Sequence, residues 1–219
     1  MLSIQKHHNM RTSIRKTMTF ALGLILALGI SFSCGKPKAK PDATLLEKAM
    51  DGDAESQYSL ANWYATQGQN DDYIEWLTKA AEQEYVAAQY DLAVSYDEGD
   101  CAKKDKATAV KWYKKAMENG DGDASFNLGV MYELGDYVKE DKATAFQYYK
   151  QAAQRGHVKA MHNVGVAYYE GEGVAQDKNE ALKWFKMAAD SGEESSLHNY
   201  QVICEELNID LNIPQIPSP

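Results

Sequence analysis

A repeat of 36 residues constrains the fold of this chain more than any other feature of its sequence. The repeated glycines and aspartates are Gly120, Gly156 and Gly192, and Asp105, Asp141 and Asp177. The same step relates an aromatic position and an alanine position: Trp76, Trp112, Tyr148 and Trp184, and Ala80, Ala116, Ala152 and Ala188. Self-similarity at such a period is typical of arrays in which each unit packs only against its neighbours. The sequence therefore predicts a solenoid.

Each repeat has the periodicity of two helices. In the third repeat, Ala124 and Leu128 fall on one helix face, Asp121 is a suitable N-cap, and Gly135 can end the helix. A second helix follows Asp141, and its predicted inner face consists of Ala145, Tyr148, Tyr149 and Ala152. We expect the first inter-helix loop to be shorter than the others. The expected repeats span residues 54–84, 85–120, 121–156 and 157–192.

One position of the first helix carries only small side chains. Its members are Ala61, Ala93, Gly129 and Gly165. Glycine inside a helix costs up to ~1 kcal/mol relative to alanine, so its recurrence needs a packing reason. We expect the two helices of a repeat to approach closely here, with Tyr148 buried in the seam between them.

These motifs resemble the Sel-one-like repeat family, a relative of the tetratricopeptide repeats. The resemblance rests on the segment 124–132 (ASFNLGVMY), on the loop 171–174 (GEGV), and on Asp177, Ala181, Trp184-Phe185 and Ala188-Ala189. It covers residues 54–192 and implies an all-α fold, an α–α superhelix (solenoid) of about four helix-turn-helix repeats. Segments 44–51 and 193–207 resemble a lone second helix and a lone first helix, which would cap a solenoid over residues 44–207.

The N-terminus has the features of a secretory signal. Residues 1–33 contain four basic side chains and no acidic one, and the apolar run 20–32 is shorter than the ~20 residues that cross a bilayer. The cleavage region Ser31-Phe32-Ser33-Cys34 resembles a bacterial lipobox, although Ser31 stands where an aliphatic residue is usual. We expect residues 1–33 to be a signal peptide and Cys34 to be lipidated; an ordinary signal peptide with a chance cysteine is the alternative.

The segment after Cys34 predicts a flexible tether. Residues 34–43 contain three lysines and two prolines and nothing large to bury. Gly35 in the second mature position resembles an outer-membrane sorting signal. We therefore expect an exported protein that is lipid-anchored in the bacterial envelope, in the outer membrane, and the sequence leaves open which face it occupies. The proline-containing tail 208–219 is expected to be extended.

Charge and cysteine content narrow the possible functions. The whole chain has a net charge of −9, and without the four bases of residues 1–33 it is near −13. Nucleic-acid binders carry basic patches, so we expect no nucleic acid as a partner. Cys101 and Cys204 lie far apart in the repeat scheme, which argues against an internal disulfide.

The sequence contains no convincing catalytic or metal site. The resemblance raises the alternative of a cell-wall or β-lactam hydrolase related to cysteine-rich members of the family, but paired cysteines are missing here, and the one Ser-x-x-Lys motif (13–16) lies in the signal peptide. Histidines at His157, His162 and His198 could stack, yet no carboxylate or cysteine falls at ligand spacing. We therefore expect neither an enzyme nor a metal or other cofactor.

The side of the first helix opposite the core is unusually apolar and aromatic. Three columns of side chains recur there in each repeat: Tyr58, Tyr90, Phe126, His162 and His198; Asn62, Val94, Val130, Val166 and Val202; and Ser59, Asp91, Asn127, Asn163 and Asn199. An exposed helix face should be polar. Either these side chains pack between adjacent first helices, or they line the concave groove that such solenoids offer to partners.

The asparagine side chains could hydrogen-bond the backbone of a bound partner, or they could make structural hydrogen bonds to the next loop of this chain. Our candidate groove consists of Tyr58, Asn62, Tyr90, Phe126, Asn127, His162, Asn163, His198 and Asn199. The sequence thus favours a non-catalytic protein–protein interaction scaffold or adaptor that binds a segment of another protein in this groove.

Overall fold

The computed structural model describes residues 40–209, which form ten α-helices and no strand. The helices are α1 (Ala43–Met50), α2 (Ala54–Thr66), α3 (Asn70–Glu82), α4 (Val86–Glu98), α5 (Lys106–Glu118), α6 (Gly122–Leu134), α7 (Lys142–Gln154), α8 (Val158–Glu170), α9 (Lys178–Asp190) and α10 (Glu194–Glu206). The expected signal peptide, Cys34, nearly all of the tether and residues 210–219 of the tail lie outside the described residues.

Local signals set the helix ends where the repeat predicts them. In each of α5, α7 and α9, the Oδ1 atom of the preceding aspartate (Asp105, Asp141 or Asp177) accepts hydrogen bonds from two backbone amides of the first turn. Helices α4, α6 and α8 each end at a glycine with left-handed φ, from +66° to +76°. The loop between α2 and α3 spans residues 67–69, whereas the equivalent loop of the second repeat, between α4 and α5, spans 99–105. The shorter first inter-helix loop is therefore confirmed.

The ten helices form an α–α solenoid. Helices in extensive contact are always neighbours in sequence, from α1 against α2 to α9 against α10. Even-numbered helices are the first helices of the repeats, and α3, α5, α7 and α9 are the second helices. Helices α1 and α10 have no partner of their own repeat among the described residues, so they occupy the two ends. The predicted all-helical solenoid is confirmed.

The seam between the two helices of a repeat is as tight as the small residues predict. A Cβ atom added to Gly129 would lie 2.6 Å from the ring of Tyr149 on α7, and one added to Gly165 would lie 2.9 Å from the ring of Phe185 on α9. Such distances leave no room for a side chain unless the ring moves. The prediction of a close helix approach at this position is therefore confirmed.

The prediction that Tyr148 is buried in this seam is wrong. Tyr149 is 3% exposed and fills the seam, while Tyr148 is only partly buried, with its ring 5.5 Å from that of Tyr132. Successive residues of a helix point about 100° apart, so only one of the two adjacent tyrosines can face Gly129. Tyr113 and Phe185, the equivalents of Tyr149, are also almost fully buried.

Buried glutamines join adjacent repeats. The Gln57 Nε2 atom donates to the Ala49 carbonyl and the Gln89 Nε2 atom to the Ala81 carbonyl, each at 3.1 Å. Within residues 40–209, every buried side-chain nitrogen or oxygen atom has a hydrogen-bond partner. These hydrogen bonds offset the free-energy cost of burying the glutamine amides, which would be large if the amides had no partner.

Candidate protein-binding face

We call the side of α2, α4, α6, α8 and α10 that carries three recurring columns of side chains the first-helix face. Most of its aromatic and valine side chains are partly buried and also pack against the core. This face comprises the three columns identified in the sequence. None of these side chains is fully buried; Ser59 and His198 are exposed, and the others are partly exposed. The candidate groove residues therefore all lie at the accessible side of the solenoid's first helices.

The two tyrosines of the aromatic column pack against neighbouring helices, Tyr58 against the next repeat and Tyr90 within its own repeat. The Tyr58 ring lies 5.0 Å from that of Tyr85, and its hydroxyl donates to the Asp91 Oδ2 atom at 2.8 Å. The Tyr90 ring lies 6.0 Å from that of Tyr113. Burial raises the pKa of both Tyr58 and Tyr90 to about 12, so both hydroxyls remain protonated donors at neutral pH.

The remaining members of the aromatic column behave differently from one another. Phe126 stacks on His157, with ring centroids 4.2 Å apart. The His162 Nδ1 atom lies 2.8 Å from the Ser196 Oγ atom, and its ring meets the edge of Phe185 at 5.5 Å. His198 is exposed. Most of this column thus packs between repeats, while its partly exposed edges remain accessible.

Two members of the polar column hydrogen-bond tyrosine hydroxyls of the preceding repeat. Asp91 accepts from Tyr58, and the Asn127 amide lies 3.5 Å from the Tyr90 hydroxyl. The Tyr149 hydroxyl donates to the Glu133 Oε2 atom at 2.7 Å, and burial raises the pKa of Tyr149 while the nearby Asn163 side chain opposes that rise. The partners of Asp91 and Asn127 are tyrosine hydroxyls, in place of the following loop that the sequence suggested. The repeated tyrosines were visible in the sequence as possible partners. Only the packing of the helices brings their hydroxyls to the polar side chains.

Taken together, the first helices are strongly acidic, whereas the second helices have a small excess of lysines that comes from α5, α7 and α9. Across their helical residues the first helices contain a single base, Lys159, and ten acids: Glu55, Asp91, Asp97, Glu98, Asp123, Glu133, Glu170, Glu194, Glu205 and Glu206. The second helices contain seven acids and ten lysines. Some of those lysines lie over indole rings of their own helix, as Lys79 does over Trp76 at 3.9 Å and Lys115 over Trp112 at 4.3 Å.

Residues 40–209 offer little for metal binding or nucleophilic chemistry. No group of three or more histidine, cysteine, aspartate or glutamate side chains in this range could hold a metal ion. Cys101 is partly buried and Cys204 buried, and both are free thiols. Burial, reinforced by the Asp100 charge, raises the pKa of Cys101 to about 11, which disfavours the reactive thiolate. In the same range, no helix is long and apolar enough to cross a membrane.

Comparison with solved structures finds close relatives of this architecture. The crystal structure of c5321, a protective antigen present in uropathogenic Escherichia coli strains and displaying an SLR fold, is 35% identical with a TM-score of 0.70. The match covers 77% of this chain but only 37% of c5321. A Sel1 repeat protein from Oxalobacter formigenes is 31% identical with a TM-score of 0.69, and the match covers 77% of this chain and 71% of that protein.

A comparison with curated proteins finds no match. The comparison with protein-family models agrees with the solved structures. The family model for the Sel1 repeat matches residues 74–85, 86–121, 122–157 and 158–193. The full-length matches begin one residue after the repeats inferred from the glycine period, and the first match, 74–85, covers only about the last third of the first repeat. Because these matches span more than half of the sequence, the chain belongs to the Sel1 repeat family.

Proposed function

We propose that this protein is a non-catalytic interaction scaffold that binds a segment of another protein along its first-helix face. The observation that carries the proposal is the column of Val94, Val130, Val166 and Val202, which remains partly exposed in four successive first helices. Isolated exposed apolar residues need no explanation, but a column that continues through the repeats is typical of a surface with a partner.

The polar column beside the valines suits the same role. Asn127, Asn163 and Asn199 follow one another in successive repeats and are partly exposed. An asparagine side chain has both donors and acceptors, so one bonded to a tyrosine hydroxyl still has capacity for a peptide group. Apolar side chains of a bound segment would contact the valines, and its backbone would meet the amides, which is how extended solenoid surfaces bind partners.

We place this scaffold in the bacterial envelope. Support comes from the sequence of residues 1–43, with its basic segment, its short apolar run, Cys34 and the lysine- and proline-containing tether. A lipid at Cys34 would anchor the solenoid to the outer membrane and leave it free to meet a partner near that surface. One lipid chain alone holds a protein only reversibly, so the anchor would need more than one acyl chain.

Site-specific photo-crosslinking tests the proposed face. A photo-reactive amino acid replaces Val130, and in a matched control it replaces Lys111, which is exposed on the second helix α5. We expect a defined protein adduct from position 130 in intact cells and none from position 111. Identical adducts at both positions, or no adduct at position 130, would contradict the proposal.

Replacing the valines by the residue that the first repeat has at the same position then tests whether the valines contact the partner. The first repeat has Asn62 where later repeats have valine, so Val130→Asn and Val166→Asn introduce a side chain that this position already accepts. Each should weaken binding of the crosslinked segment by about tenfold, since a buried apolar side chain contributes ~1.5–3 kcal/mol. Unchanged affinity in both variants would show that the valines are not the contact.

A further inference from the structure

The valine column of the first-helix face is bordered by carboxylates. Glu98, Glu170 and Glu206 lie four residues after Val94, Val166 and Val202 respectively. Asp91 lies three residues before Val94, and Asp123 lies seven before Val130. Spacings of three, four and seven residues place side chains on the same side of a helix. An apolar strip with acidic borders therefore runs along the first helices, where Lys159 is the one base among their helical residues.

Asp91 and Glu98 each lie close enough to other acidic side chains to be repelled by them. Burial raises the pKa of Asp91, and the charge of Asp121 raises it further against the hydrogen bond from Tyr58. Burial likewise raises the pKa of Glu98, assisted by the charges of Asp100 and Asp97 and opposed by Lys104. A cation bound between α4 and α6 would relieve this repulsion.

Positive groups already present offset only part of this charge. The Lys106 Nζ atom lies 3.4 Å from the Asp97 Oδ1 atom and is shared with Asp136. Lys178 pairs with Glu206 at 2.8 Å. The His157 Nε2 atom is 3.4 Å from Asp123, but burial lowers the pKa of His157, so this imidazole is mainly neutral at pH 7. The Arg155 guanidinium also donates to the Asp121 carbonyl and the Ser125 hydroxyl at the start of α6. Even so, the helical residues of the first helices contain ten acids and one lysine, an excess of nine negative charges.

We infer that the segment bound by the first-helix face is a basic polypeptide, with apolar side chains against the valine column and lysine or arginine side chains against Asp91, Glu98 and Asp123. This inference rests on the proposed function and names the chemistry of its partner. The partly exposed edges of Tyr58 and Tyr90 add aromatic surface beside the same carboxylates, which suits the alkyl stems of long cationic side chains. Electrostatic complementarity of this kind selects partners and speeds their association.

Two synthetic peptides of equal length test the inference with the full chain in a zwitterionic detergent. One contains lysine, serine and valine, and the other has glutamate in place of each lysine. Titration calorimetry should detect binding of the lysine peptide only. Its affinity should fall about tenfold when the salt concentration rises from about 0.05 M to about 0.5 M, because exposed ion pairs are screened.

Matched variants locate the binding. The first variant combines Asp91→Asn, Glu98→Gln and Asp123→Asn, and Asn127 already shows that asparagine is accepted at the position of Asp91. The control combines Asp71→Asn, Glu75→Gln and Glu118→Gln, which removes the same charge from exposed positions of the second helices. We expect about a tenfold loss of lysine-peptide affinity in the first variant and less than a twofold change in the control.

Three outcomes would overturn the inference: no binding of the lysine peptide, equal binding of both peptides, or equal loss in the two variants. The proposed function is tested separately by the crosslinks at positions 130 and 111. A partner captured only at position 130 through a neutral or acidic segment would refute the basic partner and leave the scaffold proposal intact. Loss of the position-specific crosslink would refute the scaffold proposal itself.

Discussion

Replacing Gly129 by alanine adds one methyl group at the tighter of the two seams that have a glycine at this position. The new Cβ atom would lie 2.6 Å from both the Cδ1 and Cε1 atoms of Tyr149. The tyrosine cannot move freely, because it is 3% exposed, packs 5.6 Å from Phe126 and donates a hydrogen bond to Glu133. The second repeat has Ala93 at the equivalent position with Tyr113 buried, so alanine is compatible with a buried tyrosine in that repeat.

The size of the effect follows from two opposing contributions. Alanine is favoured over glycine in a helix by up to ~1 kcal/mol, whereas overpacking a core costs ~1–3 kcal/mol. We expect Gly129→Ala to lower the free energy of unfolding by about 1 kcal/mol, and Gly129→Leu to lower it considerably more. Gly122→Ala in the same helix is the control, because its Cβ atom would meet its nearest neighbour at 3.4 Å. That control should be neutral or slightly stabilising.

Urea denaturation followed by circular dichroism measures these differences, with a constant m-value as the sign that the unfolding transition is unchanged. A double-mutant cycle with Tyr149→Leu then isolates the contact, since the first repeat pairs Ala61 with Leu77 at the same seam. The leucine background should reduce or abolish the cost of Gly129→Ala, with a coupling of about 1 kcal/mol. If Gly129→Ala matches Gly122→Ala in stability and shows no coupling, the close approach has no energetic consequence and our reasoning fails.

Three further predictions concern other parts of the chain. Tyr149→Ala should cost ~3–5 kcal/mol of stability and Tyr148→Ala about a third of that, and equal losses in denaturation would contradict the assigned burial. Burial lowers the pKa of His157 below 6.5, and its Nδ1 atom accepts a hydrogen bond from the Ala160 amide. The unfolded chain therefore binds more protons near pH 6, so stability should decrease as pH falls through 6.5; His157→Asn should flatten this dependence relative to the parent in paired melts. Cys34→Ala should leave an unprocessed or soluble protein in cell fractionation, and a fully membrane-bound, normally processed variant would refute lipidation.

The sequence determined the helical repeat architecture because its signals are local and recur several times. Asp105, Asp141 and Asp177 cap helices through hydrogen bonds to amides two and three residues away, and Gly99, Gly135 and Gly171 end helices through their own left-handed backbone. None of these interactions needs a distant part of the chain. Recurrence separates such signals from chance, so helix order, loop lengths and the close approach at Gly129 followed from the sequence.

The tertiary structure alone decided which of two adjacent aromatic residues enters the seam and where the polar column finds its partners. Tyr148 and Tyr149 both border the apolar face of α7, and the helix periodicity tolerates either as the inner residue. The rotation of α7 against α6 settles the choice, and it depends on the packing of the whole helix pair. The same holds for Asp91 and Tyr58, which are 33 residues apart and meet only because adjacent first helices lie side by side.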